Sequence, residues 1–203
     1  MPDKIRSVHI LIFEDVEVLD FCGPFEIFCV AGRRSDAQPF DVSAVAGDRR
    51  PVITRGGLSV NPKFSFADCP STDLLLIPGG PGTRVLMNDN DAVRWIQDRA
   101  AKAELVLSVC SGALLLGRAG LLDGLAATTH CGAMDELRDA APNTVLEPTK
   151  RIVDNGRVIV SAGVSAGLDL SLYVVERLLG SDHANETARY VEYDWRGSSS
   201  QIV

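Results

Sequence analysis

The most chemically suggestive residue in this chain is Cys110, which follows an apolar run and precedes a helical pattern. Residues 105–111, LVLSVCS, are typical of a buried strand, and the small residues Gly112 and Ala113 follow directly. A side chain at a strand-to-helix turn projects from the edge of a sheet, as in a nucleophile elbow. The N–H groups of the next helix favour a thiolate, so the sequence predicts a nucleophilic cysteine of lowered pKa. The alternative is a structural cysteine in the core.

A carboxyl group, Asp20, follows the first apolar run in the segment EDVEVLDFCGPFEIF. We expect it at the same sheet edge as Cys110, where a carboxylate can exchange a proton with a thiol or with a bound substrate. Burial there would move its pKa toward neutrality. An Asp at this place also suits the N-cap of the following helix, with Pro24 near the first turn. The two roles are compatible.

A second strand pattern ends in two glycines, within the segment LLLIPGGPG. The carboxyl ends of parallel strands bind ligands in open α/β sheets, so we predict that Gly79 and Gly80 lie at the same edge as Cys110. Their backbone N–H groups, together with that of Ser111, are predicted to stabilise negative charge on a substrate atom. The alternative is an ordinary Gly-Pro turn. A phosphate-binding loop is not indicated, because neither GxGxxG nor GxxxxGK is present.

His130 is the histidine that we expect to serve the thiol of Cys110 as a base. The other two histidines, His9 and His183, fall within the first strand and near the last helix. The alternative for His130 is to satisfy the N-terminus of the helix that follows it. Cys131 is predicted to have a packing role, with redox chemistry as the alternative. The other three cysteines are predicted to lie in the core: Cys22, Cys29 and Cys69.

A parallel sheet would bring these residues to one edge, and the hydrophobic pattern predicts such a sheet. Apolar runs of strand length alternate with longer helical patterns, and continuous apolar character is typical of strands covered on both faces. The predicted strands are 7–13, 40–47, 73–80, 104–110 and 157–163. The predicted helices are about 21–33, 88–103, 111–120, 131–141, 165–179 and 182–193.

Two segments depart from this alternation, VITRGGLSVNP and RIVDNGRVIV. In the second, Asn155 and Gly156 are flanked by alternating apolar residues, which is a strong hairpin signal. We therefore predict an α/β fold, with a doubly wound, mostly parallel sheet and small antiparallel additions. The length and the hydrophobic fraction of 46% favour a single domain over residues 1–203.

Composition excludes several functional classes. The net charge is −7 and the basic residues are scattered, so nucleic-acid binding is not expected. No apolar run reaches the roughly 18 residues that a membrane span needs, and the N-terminus is interpreted as the first strand rather than as a signal peptide. Five irregularly spaced cysteines without a CxxC motif indicate neither a disulfide framework nor a zinc site. We predict a cytoplasmic protein without a membrane partner.

Four segments together resemble the DJ-1/PfpI superfamily: LDFCGPFEIF, LLIPGGPG, SVCSGALLLGRAGLLDGLAATTH and VSAGVSAGLDLSLYVVERLLG. Within it, they are similar to the branch that contains isonitrile hydratase and the ligand domains of certain AraC-type regulators. The resemblance covers about residues 6–195, the expected core of the domain. It implies a flavodoxin-like α/β sandwich, usually a homodimer, with Cys110 as the reactive cysteine.

The same resemblance bears on other residues of the site. Much of the superfamily places a Glu beside the cysteine, and counting back from Pro24 puts Asp20 at that position, as in the isonitrile hydratase branch. The hydroxyl residue after the cysteine, Thr in that branch, is Ser111 here. Cys22 and Cys131 depart from the branch, which usually has Thr and an aromatic residue at these places. Both departures are expected to alter the pocket wall.

The leading hypothesis is a hydro-lyase similar to isonitrile hydratase, acting on a small-molecule substrate without a metal or an organic cofactor. Cys110 would attack the terminal carbon of an isocyanide, and Asp20 would supply the proton that this carbon needs. A second hypothesis is an aldehyde-handling enzyme of the glyoxalase or deglycase type, in which His130 moves protons. A third is a non-enzymatic redox or stress sensor of the DJ-1 type, in which Cys110 oxidises to a sulfinate.

Overall fold

The computed structural model describes residues 4–33 and 38–197, and a seven-stranded sheet forms its centre. The strand order is β10-β11-β7-β6-β1-β2-β5, and every neighbouring pair is parallel except the antiparallel pair β10–β11. The strands of this sheet are β1 (Arg6–Leu11), β2 (Phe40–Ala46), β5 (Phe64–Ser65), β6 (Leu74–Ile77), β7 (Leu105–Val109), β10 (Ile152–Asp154) and β11 (Val158–Ser161). All five predicted strands are therefore present.

The central strands β6 and β7 are buried along their whole lengths. Their unbroken Leu, Ile and Val character follows from this position, because helices cover both faces of the sheet. Each such side chain stabilises the fold by about 1.5–3 kcal/mol when it leaves water. Since β1, β6 and β7 are parallel neighbours, the segments that follow them meet at one edge of the sheet.

Helices form two layers around this sheet, which makes a three-layer α/β sandwich. The first layer consists of helices that pack on one another: α1 (Val18–Val30), α6 (Ala166–Leu179) and α7 (Ser181–Tyr190). The second group contains α2 (Thr83–Leu86), α3 (Asn90–Lys102), α4 (Gly112–Arg118) and α5 (Met134–Ala140), of which α2, α3 and α5 pack against α4. In the described ranges, no helix is long and apolar enough to cross a membrane.

The small additions agree with the prediction in two cases. The pair β10–β11 is antiparallel, and Gly156 in its turn has φ +82°. A second antiparallel pair joins β3 (Val52–Ile53) to β4 (Ser59–Val60). A third pair, β8 (Ala126–Ala127) with β9 (Val145–Leu146), is parallel and was not predicted. Its strands have two residues each, which is too short to produce a hydrophobic period.

Candidate functional site

Cys110 occupies the sharp turn between β7 and α4, with a φ of +57°. This left-handed conformation is strained for a residue with a side chain, and it persists only where the surroundings enforce it. Here both backbone groups of the cysteine are held. Its N–H donates to the carbonyl oxygens of Ser161 and Ala162 at 3.2 and 3.1 Å, and its carbonyl accepts a 2.7 Å hydrogen bond from the Thr129 hydroxyl. The predicted elbow geometry is therefore present.

The sulfur of Cys110 is buried at the bottom of a cavity and faces two backbone donors. The N–H groups of Ser111 and Val164 both interact with it and favour the thiolate. Val164 precedes α6 and has φ +47°, which is rare for a β-branched residue. Two strained residues from separate strand-to-helix turns thus meet at the thiol.

Asp20 lies in the first turn of α1 and is fully buried. Its Oδ2 accepts a 3.0 Å hydrogen bond from the N–H of Gly79. Its Oδ1 has no hydrogen bond of regular geometry within the described part of the chain, and the thiol of Cys110 is near enough to interact with the carboxyl group. The carboxyl group therefore lies between the thiol and residues 78–80, the PGG loop.

The alternative role of Asp20 as an N-cap is wrong. The helix begins at Val18, earlier than the sequence pattern indicated, so that Asp20 is inside the helix and Glu17 is the residue at its cap. Pro24 also lies inside α1 rather than near its start. Because proline has no N–H, it cannot donate to the Asp20 carbonyl four residues earlier.

Burial sets the protonation of both groups. Loss of hydration raises the pKa of Asp20 to about 6, against the opposing hydrogen bonds from Gly79 and Cys110. Loss of hydration also raises the pKa of Cys110 to about 12, and the negative charge of Asp20 adds to this effect. The expected lowering of the thiol pKa is therefore wrong. The backbone donors of Ser111 and Val164 do oppose the rise, but burial and the adjacent carboxylate outweigh them.

Gly79 and Gly80 lie at the predicted edge, but their N–H groups already have partners within the protein. Gly79 donates to Asp20, and Gly80 donates to the hydroxyl of Ser111 at 3.0 Å. The prediction that these amides donate to a substrate is therefore wrong. They position Asp20 and Ser111 instead. A Cβ on Gly79 would lie 2.6 Å from the nitrogen of Ser111 and 2.8 Å from Oδ2 of Asp20, so this close approach requires glycine.

The hydroxyl of Ser111 is part of a buried network beside the thiol. It accepts from Gly80 and lies 3.4 Å from the hydroxyl of Thr83, which donates to the Gly80 carbonyl at 2.8 Å. This network fixes the PGG loop against the start of α4. The hydroxyl of Ser111 thus has partners in both the PGG loop and α2.

His130 lies in the wall of the same cavity as Cys110. Its Nδ1 accepts a 3.0 Å hydrogen bond from the N–H of Gly132, so it also caps the short turn Cys131–Ala133. A neutral ring with Nδ1 as acceptor carries its proton on Nε2, and is therefore a hydrogen-bond donor there. Within the described residues, His130 makes no hydrogen bond to Cys110. Its ring packs on Gly163, where a Cβ would lie 2.5 Å from Cδ2.

The cavity above the thiol has a volume of about 370 Å³ and a wall that is rich in charged and polar groups. It is lined by Glu17, Arg55, Gly80, Pro81, Arg84, Cys110, Ser111, His130, Gly132, Ala133 and Val164. A slightly larger cavity of about 420 Å³ lies beyond β1 and β2, and none of the predicted site residues lines it. We therefore place the candidate site in the smaller cavity, because chemistry needs the reactive groups as well as the space.

Several residues of the site had no signal in the sequence. Thr129 and Val164 hold the elbow and the sulfur, and the charged side chains of Glu17, Arg55 and Arg84 line the cavity. Thr129 lies next to His130 in the chain, which was the nearest available clue. The charged residues come from loops and a short helix, whose side chains have no periodic pattern to reveal their direction.

The other cysteines have mixed outcomes. Cys69 is buried as predicted, whereas Cys29 is exposed, so its assignment to the core is wrong. Cys22 is half-buried, and it lines a separate apolar cavity between α1 and β2. Cys131 is exposed at the first position of its turn, against the predicted packing role. Since neither Cys22 nor Cys131 is in the wall above Cys110, the expected change to that wall is wrong.

Fold and site together define a cysteine-elbow protein of the doubly wound α/β class, and residues 6–177 match the DJ-1/PfpI family, to which the chain belongs. Isonitrile hydratase from Pseudomonas putida is 36% identical over 188 residues, which are 92% of this chain and 78% of that protein. The transcriptional regulator GbdR from Pseudomonas aeruginosa is 24% identical over 89% of this chain, but only 48% of the regulator is covered.

Solved structures show the same fold. A ThiJ/PfpI family protein from Pseudomonas syringae has a TM-score of 0.85 and 31% identity, covering 98% of this chain and 81% of that one. Drosophila melanogaster DJ-1beta has a TM-score of 0.81 at 18% identity, covering 95% and 100%. The second likeness concerns the fold alone. The family therefore includes proteins named as an enzyme, as regulators and as DJ-1 proteins.

Proposed function

We propose that this chain is a hydro-lyase similar to isonitrile hydratase, which adds water to an isocyanide, R–N≡C, and releases an N-substituted formamide. The observation that carries the proposal is the buried carboxyl group of Asp20 beside the thiol of Cys110. An isocyanide carbon must receive both a nucleophile and a proton, and this pair supplies both from one place. The 36% identity to isonitrile hydratase over most of the chain supports the same reaction.

The first step joins the substrate to the enzyme. The thiol proton passes from Cys110 to the Asp20 carboxylate while the sulfur forms a bond to the terminal carbon of the isocyanide. Asp20 then gives this proton to the same carbon, and the product is a thioimidate, R–N=CH–S–Cys110. Because the resting thiol has a raised pKa and Asp20 is ionised above about pH 6, the carboxylate is the base that activates the nucleophile.

The second step consumes water. Asp20 accepts a proton from water as the oxygen bonds to the thioimidate carbon, and it passes that proton to the nitrogen. The tetrahedral adduct, R–NH–CH(OH)–S–Cys110, collapses as the carbon–sulfur bond breaks. The hydroxyl proton goes through Asp20 to the sulfur, which restores the thiol and releases R–NH–CHO. No step uses a metal or an organic cofactor.

Other groups in the cavity orient the reactants in this proposal. The N–H groups of Ser111 and Val164 stabilise the sulfur as it gains or loses its proton. His130 offers an Nε2–H donor in the cavity wall, which suits a hydrogen bond to the substrate nitrogen. The cavity of about 370 Å³ fits a small molecule.

The test mixes the purified protein with small alkyl and aryl isocyanides and follows the formamide. Cys110→Ala and Asp20→Asn are expected to abolish turnover, while Cys131→Ala, which changes an exposed thiol outside the cavity, is expected to retain it. Loss of the covalent adduct in Cys110→Ala, checked by intact mass, would place the thioimidate on that residue. A folded wild-type protein that turns over none of these compounds would reject the proposal.

An aldehyde-handling enzyme is the second candidate, and the position of His130 in the cavity with Cys110 favours it. In that reaction the thiol would add to an aldehyde carbonyl and form a hemithioacetal. Methylglyoxal consumption that requires both Cys110 and His130 would support this function. Consumption that persists in His130→Ala would count against it. Homodimer formation, the cytoplasmic location and the single-domain organisation stay predictions.

A further inference from the structure

Arg84 is a cavity-wall cation that the proposed reaction does not use. Its Nε and Nη2 donate to the two carboxylate oxygens of Glu136, at 2.8 and 2.6 Å. Its Nη1 donates to the carbonyl oxygen of Gly80 at 3.2 Å and contacts the hydroxyl of Thr83 at 3.1 Å. All three guanidinium nitrogens thus donate to protein acceptors, which defines the orientation of the group.

This side chain joins two walls that approach the thiol from different parts of the chain. Gly80 belongs to the PGG loop before α2, whereas Glu136 lies in the first turn of α5, just after His130. Both helices pack on α4, which lies between them. Between residues 80–86 and 130–140 of the described chain, the Arg84–Glu136 pair is the side-chain hydrogen-bonded link.

Stability is a poor explanation for this ion pair. The side chains of Arg84 and Glu136 are 39% and 45% exposed, and ion pairs at such positions contribute little to the free energy of unfolding. Their mutual hydrogen bonds raise the pKa of Arg84 and lower that of Glu136, so both stay charged through the neutral range. A two-point contact between planar groups instead fixes direction and distance, which a lysine could not do.

We propose that the Arg84–Glu136 pair is a strut that sets the width of the cavity mouth and thereby restricts access to Cys110 to small reactants. The pair holds the guanidinium in the wall, and through Gly80 it holds the loop that positions Ser111. Arg84 and Glu136 are then specificity-determining residues that touch no reacting atom. The strut restricts the size of any molecule that reaches the thiol, so the inference does not depend on isocyanide turnover.

The experiment measures alkylation of Cys110 by two electrophiles that differ in bulk, iodoacetamide and N-phenyl iodoacetamide. Peptide mass spectrometry gives the rate of each at Cys110, and the exposed Cys29 in the same sample gives the intrinsic ratio of the reagents. Both rates are taken at one alkaline pH, so that the thiolate fraction cancels. Arg84→Ala and Glu136→Gln are expected to raise the bulky-to-small ratio at Cys110 about tenfold, comparable to the effect of a methylene or more of pocket space.

Arg84→Lys separates shape from charge, because it keeps the positive charge and loses the two-point contact with Glu136. It is expected to raise the ratio as the other variants do. Asp135→Asn is the matched control, since it breaks a surface pair with Arg138 on the same helix and leaves the ratio unchanged. An unchanged ratio in folded Glu136→Gln, whatever Arg84→Ala shows, would overturn the strut, because this substitution removes the ionic link at constant side-chain size.

Discussion

The carboxyl group of Asp20 lies against the thiol of Cys110 in a buried site. The charge of Asp20 raises the pKa of the thiol, whereas the hydrogen bond from the thiol lowers the pKa of Asp20. Burial brings the Asp20 pKa to about 6, and burial together with the Asp20 charge brings the thiol pKa to about 12. Between these two values the pair holds one proton. That proton is the one which the proposed reaction moves from sulfur to carbon.

The pH dependence of turnover should report the Asp20 carboxyl group. Asp20 must be ionised to accept the thiol proton, so kcat/KM is expected to rise with an apparent pKa of about 6 and then to stay level into the alkaline range. A pH–rate profile checks this, and His130→Ala should retain the rise. A profile that climbs only above pH 8 would mean that a preformed thiolate attacks, against the proposed proton transfer.

The ionised carboxyl group of Asp20 is expected to lower the free energy of unfolding. Its pKa is raised in the folded state from 3.8 to about 6, so the folded protein binds this proton more tightly, and stability is lost as pH rises through that window. At pH 7.5, the free energy of unfolding of Asp20→Asn should therefore exceed that of the wild type by about 3 kcal/mol, since each pKa unit corresponds to roughly 1.36 kcal/mol. Urea unfolding at pH 7.5 and pH 4 measures the difference, which should nearly vanish at the lower pH.

The adjacent residues Thr129 and Thr128 should respond in opposite ways to the same substitution. Thr129 donates to the carbonyl of the strained Cys110, so Thr129→Val should lower stability by about 1–2 kcal/mol and slow turnover. The hydroxyl of Thr128 is buried without a partner in the described structure, so Thr128→Val should be neutral or stabilising. Chemical denaturation of both variants makes the comparison. Equal losses would contradict a specific role for the Thr129 hydrogen bond.

A single methyl group at position 79 should disable the site. The Cβ of Gly79→Ala would meet Ser111 and Asp20 at 2.6–2.8 Å, so these groups must move. We expect kcat/KM to fall about 10²-fold, the effect of a displacement near 1 Å among reacting groups. Gly47→Ala is the control, because its Cβ would meet only the Phe66 ring at 4.0 Å. Circular dichroism of both variants should match the wild type, and undiminished activity in Gly79→Ala would refute the close approach.

Peroxide should not oxidise Cys110 in preference to the other cysteines. Oxidation to a sulfenate or a sulfinate requires a thiolate, and the raised pKa and burial of Cys110 both oppose it. Cys131, which is exposed, should gain oxygen first, as peptide mass spectrometry after mild peroxide treatment would show. Selective gain of two oxygens at Cys110 would instead favour the redox-sensor hypothesis.

Much of the fold could be predicted because its signals are local. The unbroken apolar runs at β6 and β7 have one stable place, the middle of a sheet covered on both faces. The small residues after Cys110 predicted the elbow, and the chain order placed Asp20 and Gly79 at the same edge. The predictions were wrong where they depended on which way a side chain points or on where a helix begins. Cys29 lies on the exposed side of α1, and a helix that begins at Val18 changes the place of Asp20 within it.

The sequence by itself determined the doubly wound sheet, the elbow at Cys110 and the arrival of Asp20, Ser111 and His130 at one edge, because strand character and chain order suffice for these. Tertiary structure alone decided what those groups can do. The thiol pKa depends on how much water reaches the sulfur and how near the carboxylate lies, and the partners of the Gly79 and Gly80 amides depend on alignment across the edge. The link between Arg84 and Glu136 spans 52 residues of chain, and only the packing of both helices on α4 brings its ends together.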